Sequence, residues 1–277
     1  MKRARPVARD RGSARGICRA ALLLCLFLAA SAVQGDDAGA GRAPAVADLD
    51  PMAVSPAMRD WVDRVLASGP VDDGSTEWAM QRLRRLHEAL THAGPAGMVE
   101  IADPTPTAEE AFTSRRADCL GFAMLFVALA RERGIAATFA LASDVARIDR
   151  RAGLWIERAH FTALYAGRVF EAAGERARDP ARDTAVGDRA AVALFLSNRG
   201  AQALIAGEAG AAVELFYRAV RSDPSLPWVW RNLGVALGRA GDPEGAVLAH
   251  SMAVRLGAGA ENGERNPAAG HKRSAPR

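Results

Sequence analysis

The stretch Ala117–Arg133, which reads ADCLGFAMLFVALARER, constrains the fold more than any other. Leu120, Phe122, Ala123, Leu125, Phe126, Val127 and Leu129 leave almost no polar face through three helical turns. The charged Arg131, Glu132 and Arg133 come only in the last turn. A helix that is apolar all round belongs inside a domain, so other elements must wrap it. Asp118 can cap its start and Gly134 can end it. Two amphipathic helices precede it. Ser55–Ala67 carries Met58, Trp61, Val62, Val65 and Leu66 at helical spacing, and Thr76–Leu90 carries Met80, Leu83, Leu86 and Leu90 before Gly94-Pro95 stops it. Thr107 and Glu110 have capping-box spacing for a short helix through Phe112. Strands follow: Ile135–Ala142, then Trp155–Tyr165 with Arg168–Ala172 as its hairpin return around Gly167. Ser143–Gly153 reads either as a substrate loop or as a solvated connection. The fold class is α+β: a buried, cysteine-bearing helix on a small antiparallel sheet, followed by helices.

The charge distribution excludes a broad nucleic-acid footprint. The chain has 277 residues and a net charge of +4, but residues 1–35 hold seven basic side chains and one acid, so the remainder is slightly acidic. Those first residues have the order of a secretory signal peptide: the basic Met1–Arg19, the apolar Ala20–Ala30, then Ser31, Ala32, Val33, Gln34 and Gly35. The apolar run is shorter than the roughly 20 residues that span a bilayer. Cleavage fits after Ala32 or after Gly35; an uncleaved anchor is the alternative. Export to a periplasmic or secreted location follows, with no stable membrane insertion after cleavage. Removal of Cys18 and Cys25 leaves one thiol, Cys119, which must be buried or used in an oxidising compartment.

The last third repeats itself. Residues 196–221 align with 230–255 at an offset of 34, with identities Asn198/Asn232, Gly200/Gly234, Gly207/Gly241, Ala212/Ala246, Val213/Val247, Ala219/Ala253, Val220/Val254 and Arg221/Arg255. That period, with small residues at helix crossings, resembles the tetratricopeptide (TPR) repeat. Two copies fall short of the about three that bury a solenoid core. They either pack on the preceding domain as a helical cap or form a peptide-binding groove, for which Tyr217, Trp228 and Trp230 are the aromatics to inspect.

Cys119 opens the buried helix, where free N–H groups and the positive dipole end favour an anion. A thiolate there is a competent nucleophile; a buried, inert cysteine is the alternative. His160 lies on a strand. If the turn is Ala166-Gly167, Thr162 pairs with Glu171, and Glu171 lies diagonally from His160 on one face, about 7–8 Å away. A three-residue loop puts Glu171 on the opposite face. His87, His92, His250 and His271 are competitors of His160 placed elsewhere. One remaining cysteine and no histidine pair at ligand spacing argue against zinc, and no cofactor is implied.

The order helix-start Cys, strand His, strand carboxylate resembles the transglutaminase-like superfamily, relatives of papain-type thiol enzymes. The resembling stretch is Thr105–Glu171. Its densest part runs from Ala111-Phe112 through Asp118-Cys119 to Arg131 and Gly134-Ile135. Bacterial members with C-terminal TPR repeats behind a signal look most similar. The resemblance implies Cys119 as nucleophile, His160 as general base and acid, and Glu171 as orienter. The departures are Ala117-Asp118 where Gly is usual, Ala136-Ala137-Thr138 for Pro-Ala-Arg, and Glu171 for Asp. Expected domains are therefore a signal peptide (1–35), a linker (36–50), a transglutaminase-like domain (51–175), a connection (176–189), two TPR-like repeats (190–258) and a disordered tail (259–277). The expected function is thiol acyl transfer, as peptidase or amidase hydrolysis or cross-linking, joined to a module that binds a protein or peptide. The alternative is a catalytically degenerate scaffold acting through the repeats.

Overall fold

A computed structural model describes residues 49–69, 72–92, 97–151, 153–172 and 183–257. The signal peptide, nearly all of the linker, the Gly94-Pro95 stop, the first half of the 176–189 connection and the tail lie outside these residues. Helices α1 (Pro56–Leu66) and α2 (Thr76–Thr91) form where the apolar spacing predicts them, the second capped by Ser75. Helix α3 (Ala108–Ser114) starts on a complete capping box, with the Thr107 hydroxyl accepting from the Glu110 N–H and the Glu110 carboxylate accepting from the Thr107 N–H. Short parallel strands β1 (Val99–Glu100) and β2 (Arg116–Ala117) flank it.

Helix α4 (Cys119–Glu132) is the central element. Every residue from Leu120 to Ala130 is buried, as its unbroken apolar run requires. Gly121 is needed here: a Cβ on it would lie 2.5 Å from Cδ of Pro106, which packs on the first turn. Around α4 stands a four-stranded antiparallel sheet in the order β5 (Arg168–Phe170), β4 (Leu154–Tyr165), β3 (Thr138–Arg151), β6 (Asp183–Val186). Two expectations are corrected. Ser143–Arg151 is strand and not loop: β3 and β4 run on together as a long hairpin, with a register irregularity between Ala142 and Arg147. The 176–189 connection also contains β6, which adds the strand beside β3.

Four helices follow: α5 (Asp188–Ile205), α6 (Ala209–Ser222), α7 (Pro227–Arg239) and α8 (Pro243–Arg255). They form two hairpins with matching internal geometry. A Cβ on Gly200 of α5 would lie 3.1 Å from the Phe216 ring of α6, and one on Gly234 of α7 would lie 2.6 Å from the His250 ring of α8. Both members of each crossing are related by the 34-residue offset. These hairpins pack on the sheet and α4 and share one apolar core with them. Arg131 of α4 holds Asp188 of α5 through two bonds of 2.6 and 2.9 Å. Asn232 of α7 grips the backbone of Trp155 on β4, accepting from its N–H at 2.8 Å and donating to its carbonyl at 2.6 Å. Arg231 lies 4.1 Å over the Trp155 ring. No described helix is long and apolar enough to cross a membrane.

Candidate active site

The β4–β5 hairpin sets the first relationship. Its turn is Ala166-Gly167, with φ of 46° and 77°, the two positive values that a tight two-residue hairpin turn requires. The pairs Tyr165/Arg168, Leu164/Val169 and Ala163/Phe170 follow. One further step sets Glu171 opposite Thr162, and so diagonally from His160. The structure brings the two side chains together: His160 Nε2 lies 2.5 Å from Glu171 Oε2, and both groups are largely buried. A carboxylate only accepts, so Nε2 is the donor in this bond.

Cys119 reaches the same strand by another route. It is the first residue of α4, whose N-cap Asp118 accepts from the Gly121 N–H at 2.7 Å. The backbone of Phe161, the residue after His160, hydrogen-bonds the sulfur. Burial, and then the charge of Asp118, push the thiol up to about 11, against the smaller opposing effect of the Phe161 and Leu120 backbones. A helix N-terminus on its own lowers a thiol; here desolvation outweighs it. Asp118 is itself pushed above its ordinary value by burial, although Thr105 Oγ1 donates to its Oδ2 at 2.5 Å.

Two contributors were not singled out as partners in the sequence. His87 of α2 is, by sequence, a competitor of His160. It supports the site from behind, Nε2 donating to the Glu171 carbonyl at 2.8 Å, with its ring among Phe122, Phe126 and Phe170. Burial holds His87 below its ordinary value. The available signal was its place beside Leu83, Leu86 and Leu90, because a histidine on an apolar stripe needs a partner. Thr105 is the second. It receives Asn198 Nδ2 of α5 at 3.2 Å, so a hydrogen-bonded chain runs from the C-terminal helices through Thr105 to the cap of α4. A cleft of about 370 Å3 opens beside His87, lined by Arg84, Glu88, His92, Arg168, Val169 and Phe170; neither Cys119 nor His160 lines it.

The aromatics proposed for a groove are not available as an open set. Trp228 is buried, Trp230 is half-buried and donates to the Pro224 carbonyl at 2.9 Å, and Tyr217 is half-buried. Among the described residues, no group of three or more His, Cys, Asp or Glu is placed to hold a metal ion.

Residues 69–164 match the family model of the transglutaminase-like superfamily, a span that covers α2, α4 and most of the β3–β4 hairpin. No curated protein and no solved structure matches the chain.

Proposed function

We propose that this chain, which carries a transglutaminase-like superfamily domain over residues 69–164, is a scaffold of that fold whose thiol is kept at rest and whose role is protein–protein interaction through the C-terminal repeats. One observation carries the reading: Cys119 is half-buried at the start of α4, with its thiol pushed up to about 11 and an acid rather than a cation beside it. At pH 7 such a thiol stays protonated, the reverse of how a nucleophilic cysteine is prepared. A protonated thiol also suits an exported protein, since oxidation proceeds through the thiolate. In this reading residues 1–35 direct export to the periplasm or outside the cell, residues 51–175 are the transglutaminase-like domain, and residues 190–258 are two TPR-type hairpins. The matched crossings at Gly200 and Gly234 support the repeat assignment.

A second reading is favoured by the His160–Glu171 bond. Here Cys119 sulfur attacks an amide or peptide carbonyl carbon, His160 having taken the thiol proton. The C–N bond breaks, the amine leaves with that proton, and a thioester remains. Water or another amine resolves it, and Glu171 holds the imidazole throughout.

Iodoacetamide alkylation across pH, followed by mass spectrometry, separates the two. The scaffold reading expects no modification of Cys119 until denaturant is added, with His160→Ala and Glu171→Gln behaving like the parent. Rapid alkylation with an apparent pKa below about 8.5, abolished in His160→Ala, would overturn it in favour of acyl transfer.

A further inference from the structure

The last helix leaves one face open. On α6, Val213 and Tyr217 are half-buried and Val220 is 6% exposed, in a helix against which α7 packs. Thirty-four residues on, α8 sets Val247, Ser251 and Val254 at the equivalent positions. Val247 is 65% exposed, Val254 60%, and the adjoining Leu248 41%. The face that α7 covers on α6 is therefore uncovered on α8. Residues 258–277 hold no Val, Ile, Leu, Met, Phe, Tyr or Trp, so they cannot supply the apolar side of a covering helix.

We propose that the occupant is α8 of a second copy of this chain, packed antiparallel across a two-fold axis. The exposed stripe is complementary to itself only in that orientation. At about 100° per residue, Glu244, Val247, Leu248, Ser251, Val254 and Arg255 fall on one side of the helix, opposite the buried Ala246, Ala249 and Ala253. Glu244 stands in the first turn and Arg255 in the last. Antiparallel pairing sets each Glu244 against the other copy's Arg255 and each Val247 against the other's Val254. The small Ser251 then falls near the axis, where the backbones come closest. A parallel pair would set like charges together. Such an interface is isologous and closes after two copies. One thirteen-residue helix from each side is a small contact beside the about 800 Å2 per partner of a standard interface, so the dimer is a weak, reversible one. This gives the scaffold reading a partner and so rests on it, but oligomer mass and thiol reactivity are separate readouts and can fail separately.

Sedimentation equilibrium of the purified exported chain over a micromolar concentration series tests it. A monomer–dimer equilibrium is expected, weakened at least about tenfold by Val247→Glu with Val254→Glu, since the change removes the apolar contact and puts charge in its place. Glu244→Arg alone and Arg255→Glu alone are expected to weaken it, and the double exchange to restore it. All these side chains are exposed, and far-ultraviolet circular dichroism checks that the variants stay folded. A chain that remains monomeric throughout, a dimer indifferent to the valine changes, or a dimer that the double charge exchange fails to restore would each overturn the proposal.

Discussion

Asp118 does two jobs that pull against each other. Its carboxylate caps α4, and its charge, one residue from Cys119, opposes a thiolate. Asparagine keeps the capping oxygen and removes the charge. Asp118→Asn is therefore expected to keep the fold and to bring the Cys119 thiol down from about 11, read as the midpoint of thiolate absorbance near 240 nm. His87 gives a pH signature of its own. Burial depresses it below the unfolded value of 6.5, so the unfolded chain takes up a proton first as pH falls. Stability is complete above about pH 6.5 and declines below it until the folded form also protonates. Urea midpoints between pH 7.5 and 5 are expected to fall, and His87→Gln, which can still donate to the Glu171 carbonyl, is expected to flatten that slope. At this scale the sequence narrowed Glu171 to two registers, one for each turn length, and the turn at Ala166-Gly167 selects the one that faces His160. The sequence was not informative about Ala166, because alanine seldom adopts the positive φ of 46° found there.

Among the elements, α4 was legible because eleven successive buried residues leave no other place for it. Strand β6 was not, since four residues of strand in a charged, proline-containing stretch carry no alternation to read. The far half of β3 was also missed. Its sequence SDVARIDRR lacks an apolar face, and it stays extended through backbone pairing with β4. The repeat was legible as a period, but its consequence at the helix crossings needed the structure. Gly234→Val would push side-chain carbon into a His250 ring already 2.6 Å from the position of a Cβ. A loss of about 1–3 kcal/mol is expected, measured by chemical denaturation. Its equivalent, Gly200→Val, faces the buried Phe216 and should cost at least as much, because the exposed His250 can swing aside and Phe216 cannot.

At the level of the whole molecule, the repeat helices are not an appendage. They share the apolar core with α4 and the sheet, and polar links at Asp188, Asn198 and Asn232 tie them to it. Thermal unfolding is expected to be a single transition, with near- and far-ultraviolet circular dichroism coinciding. Two separate transitions would show that the hairpins fold independently. Asn232 carries a consequence beyond cohesion. Among the described residues, strand β5 pairs with β4 at residues 163–165, and toward the other end of β4 the amide of Asn232 bonds the N–H and carbonyl of Trp155. A sheet margin with free N–H and carbonyl groups is a template on which other chains can polymerise. Asn232, a carboxamide from the last hairpin, closes that margin to an incoming strand at Trp155. Losing that hairpin would then show first as precipitation and fibril formation, before any change in chemistry at the cysteine.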